Sequence, residues 1–183
     1  MMRKAVTIWA ALSLAVFVIA AIACVAIWSG GLGVRPHPPA FEASLAMSAL
    51  DSSIPSRYSK LKNPLATVDM KDAAGHYEEH CAVCHADDGS GHTKFHGTMD
   101  PPPTDLRSQD TQEMPDGELY WIVKNGVRWS GMPAFGAPGD NDEHAWKIVA
   151  FVRHLPSLTP DELKAMKAGG DDDDHGDHGD HQH

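Results

Sequence analysis

The chain has 183 residues, of which 42% are hydrophobic, and its formal net charge is −10. This length allows one soluble domain with additional segments, and three cysteines are too few for a scaffold built from disulfides. The chain lacks the clusters of Lys and Arg that bind phosphate backbones, which excludes nucleic acid as a partner. Six acidic residues lie within 171–183, so the remainder of the chain carries only −4.

The first predicted element is an apolar helix over residues 5–28, a run without a charged side chain. At 1.5 Å per residue such a helix reaches about 36 Å, enough to cross a hydrocarbon core of about 30 Å. Arg3 and Lys4 precede it, and the positive-inside rule then keeps the N-terminus in the cytoplasm. We therefore predict that residues 1–29 anchor a single-pass protein in the inner membrane, with the remainder on the periplasmic side.

Two alternatives for this N-terminal segment stay open. The Ala-Ile-Ala triplet at 21–23 resembles a signal-peptide cleavage site, although apolar residues continue past it to Trp28. Cys24 is the candidate for a lipid-modified N-terminus, although the residues before it lack the leucine that such signals usually carry. Otherwise Cys24 is a small apolar residue of a membrane helix.

Residues 30–67 are rich in glycine, proline and serine, which is linker composition. The pattern allows a short helix around 41–50. A flexible chain of this length spans about 30–35 Å root-mean-square, so the following domain would reach partners while staying at the membrane.

Residues 68–157 are predicted to form an all-α domain, because no period-two alternation is present. The first helix runs from about Asp69 into the stretch EEHCAVCH. The second begins near Asp116 and ends at Asn125-Gly126. Three helices with long loops make a thin core, which a large apolar guest would complete.

The third helix begins in GDNDEHAW, where Asp140 and Glu143 resemble a capping box, and ends before Pro156. Residues 158–170 are predicted to form a short helix capped by Thr159. Residues 171–183 are predicted to be a disordered, solvated acidic tail, with weak, multi-site binding of divalent metals as the alternative. Its candidate ligands are His175, His178, His181 and His183.

The motif of Cys81, Cys84 and His85 carries the chemistry. Structural zinc would need a fourth ligand, and no second pair of cysteines exists. A thioredoxin-type pair needs flanking strands, and a plain disulfide leaves the histidine unexplained. C-x-x-C-H is the attachment signature of c-type haem, in which two thiols one turn apart bond the vinyl groups and the histidine ligates the iron.

Methionines and histidines in the loops are the candidates for a second iron ligand. Met132 lies between Gly131 and Pro133, residues that allow close approach and stiffen the loop. Met99 and Met114 are the other methionine candidates in this domain.

The domain resembles the class I mono-haem cytochromes c. The resemblance covers about half the chain and rests on Tyr77-x-x-x-Cys81-x-x-Cys84-His85, Pro101–Pro103 with Asp105-Leu106, DGELYWIVKNG, SGMPAF and AWKIVAFVRHL. It implies one covalent haem c on Cys81 and Cys84, with His85 as the proximal ligand and Met132 as the distal ligand. His92 and His96 are the bis-histidine alternative.

The resemblance implies further contacts. A carbonyl of the proline loop, at Pro101, Pro102 or Pro103, would accept a hydrogen bond from the proximal imidazole. Arg128 and Trp129 would contact a haem propionate, and a surface charge and a core ring are the alternative interpretation. Ala73 or Gly75 would meet Phe151 where the first and last helices cross.

An iron with histidine and methionine ligands has no open position, which favours one-electron exchange over enzymatic chemistry. We therefore expect a membrane-tethered carrier, not an enzyme, that moves electrons between respiratory or dehydrogenase complexes. The alternatives are a fixed electron-entry subunit of a larger oxidase or reductase, a haem enzyme or gas sensor, and a haem protein that also handles metals through its histidine-rich tail.

Overall fold

The computed structural model describes residues 2–30, 40–136 and 142–170, and within them it contains helices and no strand. The chain divides into two units, Met1–His37 and Pro38–His183. The helices are α1 (Met2–Gly30), α2 (Ala40–Ser53), α3 (Met70–His80), α4 (Ala82–His85), α5 (Gln109–Glu113), α6 (Asp116–Asn125), α7 (Glu143–His154) and α8 (Pro160–Gly170). Two 3-10 turns, Tyr58–Lys60 and Leu155–Ser157, complete the described elements.

The N-terminal unit contains α1. Its segment Val6–Val25 has a mean hydropathy of 2.7 and is long and apolar enough to cross a membrane. All of its side chains are exposed, as a lipid-facing helix requires. A signal sequence shares these properties, so the uncleaved anchor stays a prediction.

The core of the second unit forms where α3 packs against α7. Tyr77 of α3 and Phe151 of α7 are fully buried, with ring centroids 5.0 Å apart. Ala73 is also fully buried, whereas a methyl group added at Gly75 would meet nothing within 4 Å. Of the two predicted small residues, the structure therefore favours Ala73 as the one inside this core. Each large apolar side chain buried here contributes about 1.5–3 kcal/mol.

A second layer of the core lies between α6 and α7. The Tyr120 ring stacks on Trp146 at 4.1 Å and lies 6.3 Å from the ring of Tyr58. Both Tyr58 and Ile54 are buried, although they fall in the segment predicted to be a linker. The backbone of Tyr58 approaches α6 closely at Gly117, where a side chain would lie 2.0 Å from its carbonyl oxygen. The end of that segment therefore packs as part of the domain.

Arg153 connects α7 to α5 and to the start of α6. Its guanidinium donates to the carbonyl oxygens of Thr111 at 3.2 Å, Gln112 at 2.7 Å and Met114, and to Asp116 Oδ1 at 2.9 Å. One side chain thus satisfies several backbone acceptors that α5 and its flanks leave open.

The predicted helices are confirmed, with differences at their ends. Asp142 caps α7, accepting from the N–H of Ala145 at 3.1 Å, so the predicted cap at Asp140 is wrong; Asp140 itself lies outside the described residues. Helix α5 begins after Ser108, inside a segment expected to be loop. Thr159 and Glu162 form the predicted reciprocal cap of α8.

Candidate haem-binding site

The three residues of the attachment motif lie on one helical turn. Cys81 ends α3 and begins α4, and its carbonyl accepts from the N–H groups of Cys84 at 3.1 Å and His85 at 2.9 Å. Both thiols are half-buried and not joined in a disulfide. Two separate thiols and an adjacent imidazole are the donor set that c-type haem attachment uses.

The Cys81 thiol is not an activated nucleophile. Burial, and secondarily the neighbouring Cys84, raise the pKa of Cys81 to about 12. Redox-active cysteines instead have a lowered pKa, because the thiolate is the reacting form. This argues against a thioredoxin-type function for the pair.

His85 is oriented by a backbone carbonyl. Its Nδ1 lies 3.0 Å from the carbonyl oxygen of Thr104, which fixes Nδ1 as the donor and leaves Nε2 as the ligand atom. Burial lowers the pKa of His85, partly offset by this hydrogen bond, so the imidazole stays neutral as metal ligation requires. The predicted loop does supply the hydrogen-bond acceptor for the imidazole. The acceptor is the carbonyl of Thr104, which directly follows the predicted Pro101–Pro103.

Residues 86–108, here called the proline loop, reach His85 because Gly91 allows close approach. Gly91 has φ +70°, and a methyl group there would lie 2.4 Å from the carbonyl oxygen of Pro103. Its N–H donates to the carbonyl of His85 at 2.7 Å. Gly91 therefore contacts both the backbone of His85 and the segment Pro103-Thr104, which supplies the acceptor for the imidazole.

Side chains also brace the proline loop. The Arg107 guanidinium donates to Asp105 Oδ1 at 3.1 Å and to Asp88 Oδ2 at 3.0 Å. Tyr77, fully buried, donates its hydroxyl to the carbonyl of Ala86 at 2.8 Å, directly after the histidine. Burial raises the pKa of Tyr77 above its usual range, which keeps this hydroxyl a neutral donor.

Residues 126–136, here called the methionine loop, fold back on the end of α6. The N–H of Val127 donates to the carbonyl of Met132 at 3.1 Å, and the N–H of Met132 donates to Ser130 Oγ at 3.0 Å. Phe135 donates to the carbonyl of Val123 at 3.2 Å. Gly126, with φ +66°, allows this return, because a methyl group there would lie 2.7 Å from the carbonyl oxygen of Met132.

Two contacts bring the methionine loop beside the attachment motif. The rings of Phe135 and His80, the residue before Cys81, have centroids 6.1 Å apart. Met99 of the proline loop fits against Gly131, where a methyl group would lie 1.9 Å from its Cε. Met132 follows Gly131 directly and is half-buried. The structure thus places the loop of the predicted distal ligand against the segments that carry the proximal one.

The other predicted contacts are distributed around this site. Arg128 and Trp129 lie in the methionine loop and are exposed, Trp129 by 92% and with φ +62°. His92 and His96 are exposed on the proline loop, with ring centroids 5.0 Å apart. Met114 packs against the hydrophobic core instead. The four tail histidines lie outside the described residues.

The residues present fit a covalently bound haem. The donor set comprises two thiols outside any disulfide and a neutral imidazole whose Nε2 is left as ligand. Large apolar side chains on the same segments are exposed, which suits an apolar cofactor that covers them: Val83 by 56% and Phe135 by 40%, besides Trp129.

Sequence reasoning missed the residues that position the ligands rather than supply them. Thr104 acts through its backbone, so its side chain carries no signal. Gly91 and Gly126 are turn residues with positive φ, and only the contacts that crowd them reveal the role. Ser130, between Trp129 and Gly131, reads as an ordinary loop residue.

The comparisons agree with this geometry. Residues 68–152 match the family model described as cytochrome c oxidase, cbb3-type, subunit III. No curated protein matches the chain. The matched segment spans α3, the attachment motif and the methionine loop, and it supports haem-dependent electron transfer. Match and geometry together confirm the resemblance and identify residues 68–152 as a c-type cytochrome domain with the all-α fold of the class I cytochromes c.

Proposed function

We propose that the chain is a membrane-tethered electron carrier. Cys81 and Cys84 hold one haem c through thioether bonds, and His85 and Met132 ligate its iron. The haem supplies reversible one-electron exchange, and the protein is not itself an enzyme. Residues 1–29 anchor it in the inner membrane with the haem domain on the periplasmic side, where its redox partners are a membrane dehydrogenase and an oxidase or reductase.

The observation that carries this proposal is the hydrogen bond from His85 to the carbonyl of Thr104. It holds the imidazole in one tautomer and orientation, so that the ligand does not reorient when the iron changes oxidation state. The methionine loop would have the corresponding task for Met132. Its backbone hydrogen bonds hold Met132 in place without contacting the sulfur.

Covalent attachment is tested by the double variant Cys81→Ala/Cys84→Ala. We expect it to lose all haem that survives extraction in acidified organic solvent, whereas Cys24→Ala in the anchor keeps it. Retention of covalent haem in the double variant would refute the attachment site.

The distal ligand is tested by replacing each candidate methionine in turn. We expect Met132→Leu to abolish the methionine–iron charge-transfer band of the oxidised protein and to lower its midpoint potential, because the thioether stabilises the reduced state. Met99→Leu and Met114→Leu are matched controls that should keep the band. If the band were lost in Met99→Leu and kept in Met132→Leu, the ligand assignment would be reversed.

A second function is favoured by the description of the matching family, which is that of an oxidase subunit. In this case the domain would be the fixed electron-entry subunit of a larger complex. Purification from mild detergent distinguishes the two. A carrier is recovered without a catalytic subunit and is reduced by its donor in solution, whereas a fixed subunit co-purifies in constant proportion with a catalytic partner.

A further inference from the structure

Three metal-binding side chains lie together on the surface of α3, separate from the ligands of the haem site. Nitrogen and oxygen atoms of His76, Glu79 and His80 all lie within 4.8 Å of one another. Residues three and four apart occupy the same face of a helix, so the helix itself holds the group together. Among the described residues this is the one such group that the structure contains.

The three side chains are accessible to a metal from solution. Glu79 and His80 are exposed and His76 is half-buried. His80 Nε2 lies 3.6 Å from Glu79 Oε2, a separation close to that of two donors sharing one ion. Zinc binds imidazole nitrogen and carboxylate oxygen at about 2.0–2.2 Å, and rotation of exposed side chains suffices to close the remaining distance.

The surroundings favour a metal that prefers imidazole. A third imidazole, that of His144 on α7, lies beside His76 with ring centroids 5.1 Å apart. Asp72 joins Lys147 to this group, since its Oδ2 lies 2.9 Å from Lys147 Nζ and its Oδ1 lies 3.6 Å from His76 Nε2. The group itself contains two imidazoles and one carboxylate. Hard cations such as Mg²⁺ and Ca²⁺ need more oxygen ligands than this.

We propose that His76, Glu79 and His80 form a binding site for one divalent transition metal of the imidazole-preferring class, Zn²⁺ or Cu²⁺, on the outer face of α3. Water completes the coordination. The site is distinct from the predicted metal-binding tail, and it does not depend on the haem ligands.

The test uses the full-length, haem-loaded chain in detergent, with the four tail histidines replaced by Asn so that the tail contributes nothing. Calorimetric titration with Zn²⁺ should show one saturable site per chain. Cu²⁺ bound at the same site should give an electron paramagnetic resonance signal split by imidazole nitrogens. Replacing a ligand, in His76→Gln or His80→Gln, should weaken Zn²⁺ binding at least about tenfold.

His92 and His96 provide the matched control, since they are a second histidine pair four residues apart, both exposed, with ring centroids 5.0 Å apart. No carboxylate completes that pair among the described residues. His92→Gln/His96→Gln should therefore leave Zn²⁺ affinity unchanged. Glu79→Gln, at an exposed helix position, gives a further ligand variant should a histidine variant fail to fold. Absence of saturable binding, or equal affinity after loss of both His76 and His80, would overturn the proposal.

Discussion

The proline loop and the methionine loop are held by different kinds of interaction. In the proline loop, a carbonyl contacts the ligand side chain itself, and the Arg107 guanidinium joins Asp88 and Asp105. In the methionine loop, backbone hydrogen bonds hold the chain to α6 and within the loop, and the Ser130 hydroxyl adds two more.

The difference follows from the chemistry of the two proposed ligands, His85 and Met132. An imidazole has a second nitrogen that a carbonyl can orient, whereas a thioether has only a weakly accepting sulfur. The hydrogen bonds that position Met132 therefore act on its backbone. Surface loops open locally at less cost than the core. We therefore expect the methionine loop to open before the proline loop, without unfolding of the whole domain.

The largest effect is expected at Gly91. In Gly91→Ala the new methyl group meets the carbonyl oxygen of Pro103 at 2.4 Å, in a backbone conformation with φ +70° that disfavours side chains. Strain of this kind and the displaced loop should lower the free energy of unfolding by about 3 kcal/mol. Guanidinium denaturation of the haem-loaded protein measures it.

Gly75→Ala is the control for this variant. Gly75 lies inside α3 with nothing within 4 Å of an added methyl group, so alanine there should raise stability by about 0.5–1 kcal/mol. If both substitutions changed stability equally, the close approach at Gly91 would not be what holds the proline loop.

The next effect, at Gly126, separates the two loops. A methyl group there meets backbone atoms of Pro133, Ala134 and Met132 at 2.6–2.7 Å. We expect Gly126→Ala to cost about 2 kcal/mol of stability and, more characteristically, to weaken the methionine–iron band while haem attachment stays complete. Loss of attachment together with the band would show that the two loops do not fail independently.

The sequence names candidate groups for the site, but not the residues that position them. The spacing of Cys81, Cys84 and His85 predicts haem attachment directly, and the predicted helix starts near Asp69 and Asp116 and the predicted cap at Thr159 lie at real helix ends. Thr104 was beyond sequence reasoning, because a backbone acceptor is chosen by the path of the loop and not by residue type.

The sequence also did not predict the packing between segments that are distant along the chain. Tyr58 lies in a segment of linker composition, yet its ring packs near Tyr120 in the core. Amino-acid composition indicates only whether a segment as a whole prefers solvent. A single buried aromatic side chain can still pack the segment against a domain. The same reason explains Arg153, whose hydrogen bonds to the carbonyl oxygens of α5 follow from tertiary contact alone.

A smaller effect is expected at Ser130. Its hydroxyl donates to the carbonyl of Val127 at 2.9 Å and accepts from the N–H of Met132 at 3.0 Å. Ser130→Ala removes both bonds at a half-buried position and should cost about 1 kcal/mol. We expect faster binding of carbon monoxide to the reduced protein, because Met132 leaves the iron more readily. Ser130→Thr keeps the hydroxyl and should bind carbon monoxide at the wild-type rate; equal rates in all three proteins would contradict this role.

The smallest effect is an acid dependence of stability that, of the two loops, only the proline loop should contribute, because residues 126–136 contain no Asp or Glu. The Arg107 guanidinium, hydrogen-bonded to Asp105, holds the pKa of that carboxyl below its usual 3.8. A lowered folded-state pKa gives stability that is fully present above the unfolded value and is lost as pH falls towards the folded one. Since these groups are more than a third exposed, the contribution is below about 1 kcal/mol.

The measurement is the change in unfolding free energy between about pH 6 and about pH 3. Arg107→Gln should reduce this change relative to the wild type, because Asp105 then titrates near its ordinary pKa in both states. Lys94→Gln is the matched control, since Lys94 lies in the same loop with its Nζ over the Phe95 ring at 5.2 Å. The control should keep the wild-type acid dependence, and an equal reduction in both variants would point to net charge rather than the Arg107 ion pairs as its source.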